Sequence, residues 1–438
     1  MNSTSVRWWY LSGLFVLLTA NVPSATLAAL GIHGFAFYHV QAAVLVLCAA
    51  QFCVMVLRGS VARAIDPILF GILVFSLLYS ATGAVFLLRF RDIVPEYVAL
   101  IVHTVLFYPA TALLILGCSR PATTEDKPCI PAWILYASLA VVLFAWLQFI
   151  VGDPILKVTN SENVSKLVSA NVLGTFRPPS VFESSFQFGL FSVLLFCLAA
   201  ARALFGKGGK RAWMVAGLAM SGIGLSQTRN VFLCGVCCAI SLLALLHRKR
   251  RGGKLRLLKL APVAYVCGAV ALMVYAIANF LRSDMAKTGD LADASSTWAR
   301  VSSWQSAWQN LVLRGSALDA LFGFGITQAG QSSDYRRLYP ARADGLFIDS
   351  TFVNLFLLQG IVGLLLFLGI WWLIWKRLLR RTEETWDPVT AGITAFFSAF
   401  LAAGVFNILN GQWWGIALAL SLTVLSCRTV GAQEKPHA

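Results

Sequence analysis

The sequence predicts an all-α polytopic membrane protein with about twelve transmembrane helices. Three observations point there: the composition, the recurrence of apolar runs of spanning length, and the uneven positive charge of alternate loops. Of the 438 residues, 58% are hydrophobic and only 12% charged, with a mean hydropathy of +0.75. That lies well outside the mix of a soluble domain. Runs of about 20 apolar residues, the length that crosses a hydrocarbon core, fall at roughly 9–30, 37–57, 67–88, 97–118, 130–151, 184–201, 212–228, 230–247, 260–281, 346–375, 389–406 and 409–427. The chain 1–438 therefore reads as a single integral membrane domain. The run that opens at Trp8 is too long for the apolar core of a cleavable signal and reads as a retained first span.

Orientation follows from Lys and Arg, which resist translocation. An inside N-terminus gathers most of the 35 basic residues on the inner loops, among them Arg202, Lys207, Lys210 and Arg211, the run Arg248 to Lys259, and Lys376, Arg377, Arg380 and Arg381. The 19 acids divide the other way, so nearly all of the net charge of +16 belongs to the inner face. Both termini are expected in the cytoplasm. The high basic content is thus a topology signal, and a nucleic-acid partner is not expected: Arg248 to Lys259 is a short tether at an anionic leaflet.

Cysteine and histidine point to no metal and no cofactor. Cys234, Cys237 and Cys238 imitate a CxxC motif, yet they lie in an apolar span without a second pair, which fits packing in lipid. His33, His39 and His103 are scattered, and there is no HExxH, no GxSxG and no phosphate-binding Gly-Lys loop.

Two outer segments are more than turns. The smaller, 152–183, ends in Gly174-Thr175-Phe176-Arg177-Pro178-Pro179-Ser180, where paired prolines exclude a continuing helix and present Arg177 on irregular backbone just above the sixth span. The larger, 282–345, lies between the ninth and tenth spans. From Thr297 to Leu313 its residues Trp298, Val301, Trp304, Trp308, Leu311 and Val312 recur at helical spacing, as in an amphipathic helix at a membrane surface. The seventh and eighth spans are separated by Ser226-Gln227-Thr228-Arg229-Asn230.

By this topology one side of the membrane receives Arg177, Glu183, Arg229, Arg300, Trp304, Arg336, Arg337, Arg342, Asp349 and Asn354. Arginines among aromatic residues suit a phosphate-bearing ligand, because the guanidinium fork matches phosphate oxygens. The basic residues of 282–345 are nearly balanced by Asp284, Asp290, Asp293, Asp319, Asp334 and Asp344, so any role they have is as individual ligands and not as a positive field. Each residue also has a plainer reading. Glu183 and Asp349 can cap helices, Arg229 can reach to the membrane interface, Arg300 can pair with Asp293, and Arg336 and Arg337 can be loop surface charges. Asp349 and Asn354, five apart, need not share a helix face, and the long tenth span can break near Gly360.

The same positions resemble the O-antigen ligase/polymerase superfamily, in its Wzy-type polysaccharide repeat-unit polymerase branch. The likeness lies in Arg177-Pro-Pro-Ser-Val-Phe-Glu183, Leu225-Ser-Gln-Thr-Arg229, Arg300 through Trp304 to Trp308, Leu321-Phe-Gly-Phe-Gly325, Asp349-Ser-Thr-Phe-Val-Asn354 and Gln359-Gly-Ile-Val-Gly363, within 171–375. Ligases of this superfamily generally carry His-Asn where this chain has Asp349-Ser350. The resemblance implies a GT-C-like helical glycosyltransferase of the bacterial inner membrane, working at the periplasmic face without nucleotide sugar or metal. It implies undecaprenyl-diphosphate-linked oligosaccharide as donor and acceptor, membrane lipids as surroundings, and a chain-length regulator and a flippase of the same pathway as candidate partners. In that scheme Glu183, Asp349 and Arg229 are catalytic, with one carboxylate as base. Arg177, Arg300, Arg336, Arg337, Arg342, Asn354 and Trp304 bind diphosphate or glycan. The competing readings are a ligase for another acceptor and a flippase or transporter of lipid-linked sugars.

Overall fold

The computed structural model describes residues 132–151, 177–180, 182, 184–206, 208–251, 256–282, 316–323 and 350–406, with single positions at 71, 74, 75, 78, 417, 420, 421, 424 and 425. Among them every regular element is an α-helix. In chain order these are α1 (Ala132–Val151), α2 (Ser185–Phe205), α3 (Gly209–Leu225), α4 (Arg229–Arg251), α5 (Arg256–Lys259), α6 (Ala261–Arg282), α7 (Ala317–Phe322), α8 (Thr351–Thr385) and α9 (Pro388–Phe406). Four of them, α2, α4, α8 and α9, are long and apolar enough to cross a membrane.

The expected spans from 130–151 to 389–406 each coincide with a helix, except that α8 continues past 375 to Thr385. The apolar run stops at Lys376, yet the helix goes on as an amphipathic one. Leu378, Leu379 and Thr382 stay buried, while Arg380 faces out and pairs with Glu384 at 2.8 Å. The expected spans 9–30, 37–57 and 97–118 lie outside the described residues, and 67–88 and 409–427 are described only at single helical positions.

The bundle is built around α2 and α9, whose apolar stretches are 78% and 89% enclosed by protein, against 50% for α4 and 44% for α8. A helix that is apolar all round belongs inside, and one with an outward apolar stripe faces lipid. On α4 that stripe is Phe232, Val236, Ile240 and Leu243. In lipid, helices associate by close packing and hydroxyl hydrogen bonds. Both are present: Ser241 Oγ is hydrogen-bonded to Tyr265 Oη (2.9 Å) and Ser398 Oγ (2.8 Å), tying α4, α6 and α9 together.

The two central helices meet backbone to backbone at Gly392. A side chain there would begin 2.9 Å from the carbonyl oxygen of Cys197 and 3.1 Å from Leu198 Cα. Gly392→Leu is therefore expected to push α9 off α2 and cost roughly 1–3 kcal/mol. A lowered thermal midpoint in detergent checks this, and an unchanged midpoint would contradict the packing.

The helices sort their ends into two groups. At one end Arg248 pairs with Glu383 (2.6 Å), Phe205 stacks on Trp386, Lys249 lies over Phe205, and Trp375 Nε1 donates to the carbonyl of Lys259 (3.0 Å). At the other end Trp146 Nε1 donates to Ser221 Oγ (2.9 Å), and Leu233 and Phe352 pack together on Ala402 and Val405. The basic loops thus share one end, and Arg229 and the start of α8 share the opposite one.

Candidate functional site

The start of α2 is set by Ser184, which has extended backbone (φ −145) and accepts from the Gln187 N–H through its hydroxyl at 3.3 Å. The N-cap position is thus filled by a serine. Glu183 itself lies outside the described residues.

Upstream, the turn at Arg177-Pro178-Pro179-Ser180 is buried from Pro178 to Ser180. Ser180 sits in the left-handed region (φ 55) and is held there by three hydrogen bonds. Its N–H donates to Gln148 Oε1 (2.8 Å), its carbonyl accepts from Gln148 Nε2 (3.1 Å), and its hydroxyl donates to the carbonyl of Val141 (2.7 Å). Val141 is midway along α1, so the turn is packed against that helix, and burial in protein is one of the settings in which irregular backbone is tolerated within a helical bundle. Phe182 closes the turn, donating its N–H to Pro179 and packing its ring on Phe191 at 5.2 Å.

The corner between α3 and α4 is fixed by Ser226, which is buried. Its hydroxyl donates to the carbonyl of Ile223 (2.7 Å), its carbonyl accepts from Thr228 Oγ1 (2.9 Å), and Gln227 takes the left-handed conformation (φ 47). Ser226 is seated against Gly189 of α2, where a side chain would begin 2.9 Å from its hydroxyl. The corner therefore cannot drift from the start of α2, and Arg229 is delivered beside Arg177.

Arg177 is half-buried, and its Nε has no hydrogen-bond partner. Burial, and then the charge of Arg229, lower its pKa from the ordinary arginine value. Arg229 is exposed and opens α4, whose first turn contains no acid, so its charge stands at the positive end of the helix dipole. Two cations and a helix N-terminus thus converge with no described carboxylate between them. Such an arrangement is unfavourable alone and favourable around an anion.

The helix α8 begins after Ser350, which is buried, extended (φ −150) and makes no side-chain cap bond. Asn354 is half-buried, its N–H donating to the carbonyl of Ser350 at 2.9 Å. Asp349, Arg300, Trp304, Arg336, Arg337 and Arg342 lie outside the described residues, as does the helix expected over 297–313. Of 282–345 the structure describes Arg282, at the end of α6, and 316–323, where Ser316 and Asp319 form a capping box that starts α7.

Sequence reasoning missed what α7 does. Gly323 (φ 76) rests on the backbone of α8 where that helix breaks at Gly360 (φ 63, ψ −164). A side chain at Gly323 would begin 2.5 Å from Gln359 N and Leu358 C. The described part of the Leu321 to Gly325 motif, 321–323, therefore meets the start of the Gln359 to Gly363 motif in space. Gln148 was also missed, and Gln359 was noted only as part of a motif; the available signal was an amide side chain inside an apolar run.

Among the described residues no group of three His, Cys, Asp or Glu side chains is placed to hold a metal. Cys234, Cys237 and Cys238 are buried free thiols within α4. No known family model matches the chain, and no curated protein matches it significantly.

Proposed function

We propose that the chain is a membrane glycosyltransferase that polymerises undecaprenyl-diphosphate-linked oligosaccharide repeat units at the periplasmic face of the bacterial inner membrane. In this reading it has a GT-C-like bundle of about twelve spans and makes O-antigen, capsule or exopolysaccharide. The observation that supports it best is the pairing of Arg177 with Arg229 without a described counter-charge. A diphosphate at that place neutralises both. During transfer the acceptor hydroxyl oxygen bonds to the anomeric carbon, the bond from that carbon to the phosphate oxygen breaks, and undecaprenyl diphosphate leaves with the electron pair. The arginines stabilise the charge that grows on the leaving oxygen, as preorganised donors do elsewhere. Glu183 or Asp349 takes the proton of the attacking hydroxyl. Arg300, Arg336, Arg337, Arg342, Trp304 and Asn354 contact donor or glycan under the cover of 282–345.

One observation favours a second reading, a transporter of the same lipid-linked sugars. α8 is a broken helix, and broken helices build substrate sites in transporters. Gene deletion separates the two. The polymerase reading expects polymer to vanish and single lipid-linked repeat units to collect on the periplasmic leaflet. Their retention on the cytoplasmic leaflet would sink it in favour of transport.

A further inference from the structure

The break in α8 holds a feature that the arginine site does not use. Gln359 is fully buried, and neither its Oε1 nor its Nε2 has a hydrogen-bond partner. A buried amide with two donors and an acceptor left unpaired calls for an explanation. Below it, Gly360 leaves helical conformation, and the chain restarts as the long segment 361–385, which brings the positive end of a helix to the break. The Gln359 amide lies over the first turn of that segment: a side chain at Gly363 would begin 2.5 Å from its Oε1.

The short helix α7 lies against the break. None of the residues of α7 is buried, and the segment meets α8 through backbone at Gly323 and Gly360. Its charged residue, Asp319, is taken up by the backbone N–H and hydroxyl of Ser316 (3.0 and 2.9 Å). A ligand group here meets an amide, helix N–H groups and no described free charge. That suits a neutral group able both to donate and to accept, such as a hydroxyl or an acetamido group.

We propose that the break in α8 is a carbohydrate subsite. The Gln359 amide and the first turn of 361–385 hydrogen-bond hydroxyl or acetamido groups of the glycan when α7 moves aside. The ligand class rests on the polymerase reading; the site rests on Gln359 and the break.

The test uses the full chain in nanodiscs with two probes. One is the free repeat-unit oligosaccharide released from its lipid by mild acid, and the other is undecaprenyl diphosphate without sugar. Gln359→Leu is expected to weaken oligosaccharide binding ten-fold or more, leave the lipid diphosphate unchanged, and keep or raise the thermal midpoint. Arg229→Ala is expected to do the reverse with the two probes. Gln359→Asn, which withdraws the amide by one methylene but keeps its polarity, gives the same loss of oligosaccharide if the leucine variant folds poorly. Equal oligosaccharide affinity in wild type and both Gln359 variants overturns the subsite. So does a wild-type protein that polymerises but does not bind the free oligosaccharide, a result that leaves the polymerase reading standing. A wild type that ignores both probes overturns both.

Discussion

Arg177→Met is expected to abolish polymer while leaving the protein at least as stable as the wild type. The guanidinium is partly desolvated, its Nε is unpartnered and it is repelled by Arg229. A methionine of similar length retains the contact made by the stem and removes the repulsion. Catalysis moves the other way, because loss of one preorganised donor to a developing anion typically costs on the order of 10²- to 10³-fold in rate. Arg229→Ala should show the same fall in polymer, with little change in stability because the side chain is exposed. Thermal midpoints in detergent, read beside polymer yield, check the pair. A marked loss of stability in Arg177→Met would mean that the two arginines are structural. That opposition, a group costly to the fold and needed for activity, is the usual sign of a functional charge.

The second large effect is expected at Gly360. Its φ of 63 belongs to the left-handed region, and a side chain would begin against the carbonyl group of Leu321 and the N–H of Phe322. Backbone strain of about 1–3 kcal/mol and overpacking of about 1–3 kcal/mol together make Gly360→Ala costly by roughly 2–6 kcal/mol. Gly323→Ala meets the same contact from the other side, 2.5 Å from Gln359 N. The two should therefore combine to much less than their sum, since either one already separates α7 from the break. Thermal midpoints of the single and double variants, with limited proteolysis at 316–323, measure this. Full additivity would mean that the two glycines act independently.

Much of the helical frame was legible in the sequence, because a spanning helix announces itself by length and hydropathy alone. The far end of α8 was not, because Leu378, Leu379 and Thr382 continue it as an amphipathic helix that no apolar window detects. The shared end of Arg177 and Arg229 follows from counting spans, but their mutual repulsion does not. It depends on Ser180 reaching Val141 and on Ser226 reaching the start of α2, contacts made far apart along the chain. Glu183 and Ser184 both suit a helix N-terminus in sequence, and only the backbone shows that Ser184 takes the N-cap position. The meeting of α7 with the break had two glycine signals, neither of which could name its partner.

Reconstitution tests the polymerase reading most directly. Purified protein in liposomes is supplied with the host's undecaprenyl-diphosphate-linked repeat unit, and the products are resolved by length. A ladder of multiples is expected from the wild type, with free undecaprenyl diphosphate released, and single units only from Arg177→Met and Arg229→Ala. A wild type that yields no ladder, or an Arg229→Ala protein that yields a normal one, would contradict that reading.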